Sequence, residues 1–379
     1  MSGRSNKKRS FASVLLGACL STAFLLFLLR SDIAIDYMKI GLKLCSGTVI
    51  PSLFPFMVVS SLIVSSGIGI RLCRIFTYPA RLLFGVSGGG ACAFILGAFC
   101  GFPIGARVVC EMYDNGSISK SEAERILTFC NNPGSAFVTS AVGVSLFGSL
   151  RAGVALYACV ILSSVIVGVT LRPFHKSEPC ENRSTAAAMQ VCSVSCRSVG
   201  TLFTTAIRES ALSMLTVSAT VVFFSSLVGC IGASLSALGA PDAVIAVIFG
   251  VFEISSGVSA LSALQSPLSL CLCAAALGWS GLSVHLQIMA VCAGRNFSLL
   301  PYLAAKALQG AVCAALIFVT TRLFPSVTES SAPVGLMDAT RYRGAFFLYV
   351  IMLFCISAAL SILILKFNKG RQNRGVKKR

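Results

Sequence analysis

Long apolar runs without charge dominate this sequence and decide the solvent in which most of it can fold. The first such run extends from Phe11 to Leu29. A helix that crosses the hydrocarbon core of a bilayer needs about 20 apolar residues. With 56% hydrophobic and only 12% charged residues, the 379-residue chain is too apolar for a soluble globular protein. We predict an all-α polytopic membrane protein with roughly eight to ten membrane segments.

The chain carries a formal net charge of +18, and its basic residues gather at both termini and in the loops. Cytoplasmic loops of membrane proteins are enriched in Lys and Arg, and anionic lipids attract such clusters. We therefore interpret the charge as a topology signal and a contact for the lipid bilayer, not as a nucleic-acid surface. The prediction is a multi-pass protein of the cell membrane with both termini in the cytoplasm.

Enzymatic and metal chemistry have little support in the sequence. Most of the 17 cysteines lie inside apolar runs, where they act as small packing residues. Cys192 and Cys196 lie in a loop near His175, but no second pair completes a zinc site. No HExxH or Walker motif occurs, and no Ser or Cys nucleophile has an obvious base beside it. We expect no metal, no cofactor, no disulfide framework and no enzyme activity.

The stretch from Gly97 to Gly134 begins as apolar sequence and is then interrupted. Irregular backbone survives at membrane depth only inside protein or beside water, so the interruptions indicate a site. Gly97, Gly101 and Gly105 recur every four residues and share one helix face, which favours close helix packing. Pro103 would also free a backbone carbonyl to coordinate a substrate or ion. The two interpretations are compatible.

A short charged helix and a second break follow in the same stretch. Ser119 and Glu122 form a capping box of the S-x-x-E type, which predicts a helix from Lys120 to about Cys130. The sequence Asn131-Asn132-Pro133-Gly134 then predicts a break, because Pro disfavours helical backbone before it and Gly allows a sharp reversal. The asparagines either face a substrate or are turn residues of a surface loop.

Upstream of this stretch, the spacing of charged and apolar residues over 32–49 predicts an interfacial amphipathic helix. Pro51 and Pro55 then lie at the start of an apolar run. They favour either a broken or re-entrant helix, or the first turn of an ordinary spanning helix.

The second half has its own unusual polar residues. Glu253 follows an apolar run and is itself followed by Ser255. A buried charge is costly in a bilayer, so Glu253 is functional, held by a structural partner, or protonated. His285 lies in the segment Trp279–Gln287 and either relays protons or binds a substrate, or is hydrogen-bonded within the bundle.

Residues 98–107 and 278–287 match as an internal repeat. In each, an aromatic residue is followed by a small residue, Gly, an apolar residue and a small one, and a polar side chain closes the segment. Paired interruptions in corresponding halves indicate the midplane site of a transporter. The chain is therefore predicted to contain two repeats with broken or re-entrant helices.

Several motifs together resemble the sporulation integral membrane proteins, which carry the nucleoside-recognition (Gate) domain: Pro51–Phe56, Gly101–Arg107, Gly116–Glu124, Asn131–Gly134 and Gly281–Gln287. The resemblance covers roughly residues 10 to 325. It implies a distant similarity to concentrative nucleoside transporters, in which a re-entrant hairpin precedes a broken Gly-rich helix in each of two inverted halves. The resemblance thus implies that the two repeats of this chain are inverted repeats.

On this resemblance, Phe252–Gly257 is the second hairpin, Trp279–Gln287 is its broken helix, and Glu253 matches the hairpin carboxylate. The first half departs from the pattern, because Pro51–Phe56 contains no carboxylate. The implied division is a basic N-terminus with a first helix (1–31), a first Gate-like repeat (32–171), a cytoplasmic loop (172–207), a second Gate-like repeat (208–325), a last loop and helix (326–365) and a basic tail (366–379).

Two functions remain open at this point. The first is a secondary transporter of a small polar solute that works by alternating access. The second is a non-transporting scaffold that recruits partners at a developing spore envelope. A homo-oligomer is left open in either case. The predicted substrate or ion pathway comprises Gly101, Pro103, Arg107, Asn131, Asn132, Glu253, Ser255, Ser280, His285 and Gln287; Arg107 either binds an anionic group or lies at an interface.

Overall fold

The computed structural model describes residues 20–65, 77–114, 116–174, 199–264 and 266–327, together with positions 14, 17 and 18. Within these ranges the chain is helical and has no strand, as the apolar runs predict. The predictions for the basic termini, the last helix, His175 and the two loop cysteines Cys192 and Cys196 lie outside the described residues.

The first half of the chain is built from eight α-helices and two π-helical segments in the described ranges. The α-helices are α1 (Leu20–Leu29), α2 (Ser31–Leu44), α3 (Ile50–Ser65), α4 (Thr77–Phe84), α5 (Gly88–Cys100), α6 (Ile104–Asp114), α7 (Lys120–Cys130) and α8 (Leu150–Thr170). The π-helical segments are Cys45–Val49 and Phe137–Leu146, and a short 3₁₀ turn, Arg172–Phe174, follows α8.

The second half of the described chain contains six α-helices. They are α9 (Val199–Ala237), α10 (Asp242–Phe252), α11 (Ile254–Ser262), α12 (Ser269–Trp279), α13 (Leu282–Val291) and α14 (Leu300–Leu323), followed by the 3₁₀ turn Pro325–Val327.

Four helical segments of the described chain are long and apolar enough to cross a membrane. They are Leu150–Thr170, Gly200–Ala237, Ser269–Val291 and Leu300–Leu323. Shorter apolar helices, such as Gly88–Cys100 and Asp242–Phe252, accompany them. The predicted total of roughly eight to ten membrane segments stays a prediction.

The long helix α9 packs along α2 and α3, while α14 packs against α12 and α8. One apolar core extends through both halves, with fully buried side chains such as Leu156, Leu272 and Ile317. The core therefore joins the two halves and does not divide at the loop that separates them in sequence.

The helix is continuous through Pro51–Phe56. The two prolines therefore lie in an unbroken helix and not in a broken or re-entrant one. Pro51 lies at the start of α3, directly after the π-helical segment Cys45–Val49, and Pro55 lies inside α3. A π-helical turn already shifts the backbone hydrogen-bond pattern, which lets the helix continue past a residue that has no N–H.

The capping prediction at Ser119 is confirmed. The Ser119 side chain accepts a hydrogen bond from the Glu122 N–H, at 3.2 Å, and α7 runs from Lys120 to Cys130. The Glu122 carboxylate accepts a second bond from the Ser87 N–H, at 2.6 Å. The cap therefore also ties the start of α7 to the start of α5.

The glycine stripe of α5 and α6 packs directly against the break that follows α7. A methyl group on Gly97 would collide with the Cys130 carbonyl oxygen, and one on Gly105 would lie 2.6 Å from the same atom. A methyl group on Gly101 would lie 2.7 Å from the Gly134 nitrogen. The expected close packing is thus present, against irregular backbone. The prediction that the three glycines share one helix face is wrong, because α5 ends at Cys100, α6 begins at Ile104 and Gly101 lies between them.

We expect Gly97→Ala to lower stability by about 1–3 kcal/mol, because the new methyl group meets a backbone carbonyl that cannot rotate away. Gly47→Ala is the matched control, since a methyl group there has no heavy atom within 4 Å. Thermal unfolding of the purified protein in detergent measures both. Equal melting temperatures for the two variants would show that Gly97 does not pack tightly against the Cys130 carbonyl oxygen.

Candidate functional site

Two helices are interrupted at the positions that the internal repeat predicts. Between α5 and α6 the chain passes through Gly101, with φ 79°, and between α12 and α13 through Ser280 and Gly281, with φ 79° and 83°. Positive φ is costly for residues with a Cβ, so glycine suits both breaks. Each break leaves the backbone groups of two half-helices free to bond elsewhere.

Each interrupted helix crosses a second break. Gly101 lies against Pro133 and Gly134, in the segment that follows α7. Gly281 lies against Glu253 and Ile254, where α10 ends and α11 begins. Irregular backbone therefore meets irregular backbone at two places, and protein encloses both.

The second of these crossings has the form of a hairpin. Glu253 is extended, with φ −143° and ψ 122°, and separates α10 from α11. Gly257 lies against the backbone of Gly250, so α11 folds back on α10. This agrees with the hairpin that the resemblance implies for Phe252–Gly257.

A cavity of about 50 Å³ lies between the two crossings. Gly101 and Gly134 border it from one crossing, and Glu253 borders it from the other. Ser255, Ser283 and Gln287 add polar groups, and apolar side chains of α3 and α9 close it. A water molecule needs roughly 10–15 Å³ on this measure, so the cavity has room for a few waters or an ion.

Glu253 is 1% exposed and holds the start of α11. Its two carboxylate oxygens accept hydrogen bonds from the backbone N–H groups of Ser255, at 3.0 Å, and Ser256, at 2.6 Å. A negative group at a helix N-terminus is stabilised by the free N–H groups and by the helix dipole. Glu253 therefore has a structural partner and also lines the cavity.

The other predicted pathway residues divide into two groups. Gly101, Glu253, Ser255 and Gln287 line the cavity. The rest lie outside its lining and are Pro103, Arg107, Asn131, Asn132, Ser280 and His285.

Arg107 and Ser280 bond within the protein. The Arg107 guanidinium donates to the Ser213 hydroxyl of α9 at 3.1 Å, so it lies at an interface between helices. The Ser280 hydroxyl donates to the Leu277 carbonyl at 3.4 Å, while Ser283, three residues later, borders the cavity.

Pro103 has no N–H to donate to the Phe99 carbonyl four residues before it. That carbonyl instead accepts a hydrogen bond from the Ser135 hydroxyl at 3.4 Å, and the neighbouring Ala98 carbonyl accepts one from the Tyr157 hydroxyl at 3.1 Å. Protein side chains therefore satisfy these two carbonyls at the break.

Asn131 and Asn132 are fully buried, so the surface-loop alternative is wrong. They belong to a buried polar network with Lys306 and Gln309 of α14. The Lys306 ammonium donates to the Asn131 carbonyl at 2.9 Å and to the Gln309 side-chain oxygen at 2.7 Å. Gln309 in turn donates to the Asn132 side chain at 2.8 Å and to the Val160 carbonyl at 3.2 Å.

Sequence reasoning missed Lys306, Gln309 and Tyr302. The signal was available, since Lys306 is the single charged residue between Leu300 and Thr321. An ionisable residue inside a membrane span is a functional candidate by default. Lys306 follows Tyr302 by four positions and Gln309 follows Lys306 by three, so the three side chains share one face of α14.

His285 is buried next to this network. Its Nδ1 and the Tyr302 hydroxyl are 2.9 Å apart, and its ring meets that of Trp279 edge to face at 4.4 Å. Its Nε2 is buried without a hydrogen-bond partner in the described part of the chain. The bundle-bonded alternative for His285 thus accounts for one of its two nitrogens.

The two halves also meet at one end of the bundle, through the loop that follows α13. Arg295 forms a two-pronged ion pair with Asp114, with Nε to Oδ1 at 2.9 Å and Nη2 to Oδ2 at 2.6 Å. The Ser298 N–H donates to the Glu124 carboxylate at 2.8 Å. These contacts join the end of α6 and the start of α7 to the second half.

Comparison with known proteins adds one relative. The chain is 26% identical, over 336 residues, to the sporulation integral membrane protein YlbJ of Bacillus subtilis (strain 168). The match covers 79% of this chain and 82% of the relative. No protein-family model matches the chain, and no solved structure matches it. The relative and the four apolar helices together support a membrane location.

We expect Gln309→Leu to destabilise the protein by about 1–3 kcal/mol, because it leaves the Lys306 ammonium and the Asn132 side chain short of a partner inside the bundle. Gln287→Leu is the matched control, since Gln287 is only partly buried at the cavity wall. Thermal unfolding in detergent compares the two. If Gln309→Leu lowers the melting temperature less than Gln287→Leu does, the network does not stabilise the protein as we expect.

The Asp114–Arg295 pair predicts a specific pH dependence. Hydrogen bonds from Arg295 lower the pKa of the Asp114 carboxyl. Its contribution to stability is therefore complete above the unfolded-state value of about 3.9 and is lost as the pH falls through the lower folded-state pKa. Both side chains are partly exposed, so the contribution stays below about 1 kcal/mol.

We expect the melting temperature of the native protein to exceed that of Asp114→Asn at pH 5–7, by an amount that narrows below about pH 4. High salt should also reduce this difference in melting temperature, because salt screens the attraction between exposed charges. A difference that stays constant from neutral pH to pH 3 would contradict the assignment.

Proposed function

We propose that this protein is a secondary transporter of a small polar solute and that it works by alternating access. The observation that carries the proposal is the position of the cavity. It lies where two interrupted helices cross two further breaks, one pair from each half of the chain, and a buried carboxylate borders it.

The chemistry of the cavity suits a polar occupant. Glu253 supplies a carboxyl group, and Ser255, Ser283 and Gln287 supply further hydrogen-bonding groups. Half-helix ends at membrane depth, with their free backbone groups, are a common means of binding ions and polar solutes. We assign Glu253, Ser255 and Gln287 to contact with solute or a coupling cation.

The small volume supports movement between the halves. At about 50 Å³ the cavity is smaller than typical small-molecule sites of roughly 300–1,000 Å³. A solute larger than a few waters would need the helices around it to separate. Two inverted repeats that move relative to each other would provide this separation, and the matching breaks at Gly101 and Gly281 support such repeats.

The biological setting is proposed from the relative. Because YlbJ is named a sporulation integral membrane protein, we infer that this chain also acts in spore formation. The solute class remains that of a small polar molecule, and the resemblance to nucleoside transporters makes nucleosides the first compounds to test.

The test is uptake into proteoliposomes of a panel of radiolabelled nucleosides and amino acids. We expect at least one compound to accumulate above empty liposomes, and Glu253→Gln to reduce its uptake at least tenfold, which corresponds to about 1.4 kcal/mol. Glu209→Gln is the matched control, because Glu209 is exposed on α9 and should tolerate the same change.

Normal uptake by Glu253→Gln would remove Glu253 from the pathway. Failure of the native protein to transport any compound of the panel would count against transport and favour the scaffold alternative. That alternative predicts that changes in the segment from Arg172 to Gly200 abolish spore formation while cavity variants leave it intact.

A further inference from the structure

Arg125 is a buried cation whose donors are not all used. It lies in α7, its side chain is 5% exposed, and its Nε and Nη2 are buried without a hydrogen-bond partner in the described residues. A guanidinium remains charged in proteins and has five N–H donors. Buried polar groups are rarely left unpaired, so unused donors on a charged group require an explanation.

A second guanidinium borders the same space. Arg172 Nε lies 3.3 Å from the point that a methyl group on Gly85 would occupy, and Arg125 Nη1 and Nη2 lie 3.6 and 3.7 Å from that point. Arg172 is held there by a hydrogen bond of 2.7 Å from Nη1 to the Leu82 carbonyl. Two like charges therefore face the same point beside Gly85.

The turn beside them supplies further groups suited to an anion. Gly85 is exposed and has φ +60°, so the point that the two guanidinium groups face lies at the protein surface. Ser87 is the residue before α5, yet its side chain makes no capping bond and its Oγ is buried without a partner. The start of a helix carries partial positive charge and attracts oxyanions.

From this geometry we propose that Arg125, Arg172 and the turn Gly85–Ser87 form a binding site for a phosphate-type oxyanion. A tetrahedral oxyanion can accept bonds from two guanidinium groups at once, and Arg suits such planar, two-pronged contacts. The ligand is either free phosphate or the phosphate of a lipid headgroup.

Glu122 is the carboxylate near this site, and it interacts electrostatically with Arg125. One of its oxygens accepts the Ser87 N–H. Two guanidinium charges against one carboxylate still leave a net positive site. None of these residues lines the cavity, so the site is separate from the proposed solute pathway.

Thermal unfolding of the full-length protein in detergent tests the proposal in two arms. One compares inorganic phosphate with chloride at equal ionic strength and pH. The other compares micelles that contain phosphatidylglycerol with micelles that contain diacylglycerol, which lacks the phosphate. We expect the native melting temperature to rise by about 2 °C or more in at least one arm.

Arg125→Gln and Arg172→Gln should both lose this rise, and the exposed Arg151→Gln should keep it. Without oxyanion, Arg125→Gln should be at least as stable as the native protein, because it removes a buried charge whose donors are not all paired. A purely structural Arg125 would instead lower stability in every condition. If Arg125→Gln does not fold, the exposed Arg172→Gln still decides the result.

A rise with phosphate alone identifies a soluble anion, and a rise with phosphatidylglycerol alone identifies a lipid headgroup. No rise in either arm, or an equal rise in the native protein and Arg172→Gln, would overturn the proposal. Because transport is not measured, this result is independent of the proposed solute function.

Discussion

The satisfaction of backbone hydrogen bonds away from water is the constraint on which this structure depends. In hydrocarbon an unpaired N–H or C=O costs several kcal/mol, so a helix can be interrupted only where protein or water replaces the lost partners. The breaks near Gly101, Asn131, Glu253 and Gly281 meet this condition in pairs. Ser135, Tyr157, Lys306 and Glu253 provide side-chain bonds to backbone groups at or beside them.

The buried network around Lys306 extends the same principle to side chains. Gln309 links the Lys306 ammonium to Asn132 and to the Val160 carbonyl of α8, so one side chain connects α14, the break after α7 and a spanning helix. Satisfied polar networks of this kind favour one arrangement of helices, because any shift leaves charged or polar groups unpaired. The network therefore fixes the wall beside the cavity, while Glu253 borders the cavity itself.

Pattern and composition were reliable where the physical cause is local. The capping box at Ser119 and the break at Asn131–Gly134 depend on neighbouring residues, and both were predicted at the observed positions. Pro103 likewise signalled a break from local sequence, but the helix is interrupted from Gly101 onward, where a continuous glycine face was expected. At Pro51, local sequence allowed two outcomes, and packing of α3 along α9 accompanies the continuous helix that the structure contains.

The sequence by itself determined that this chain is helical and apolar, where its helices are interrupted, and that Glu253 is a costly buried charge. Only the tertiary structure decided which side chains meet at the interruptions. Asn131 and Lys306 are 175 positions apart, and the Glu122–Ser87 and Arg295–Asp114 contacts are also distant in sequence. Such contacts follow from how whole helices pack, and no periodicity along the chain encodes them, because a helix face specifies that it is buried but not against which partner.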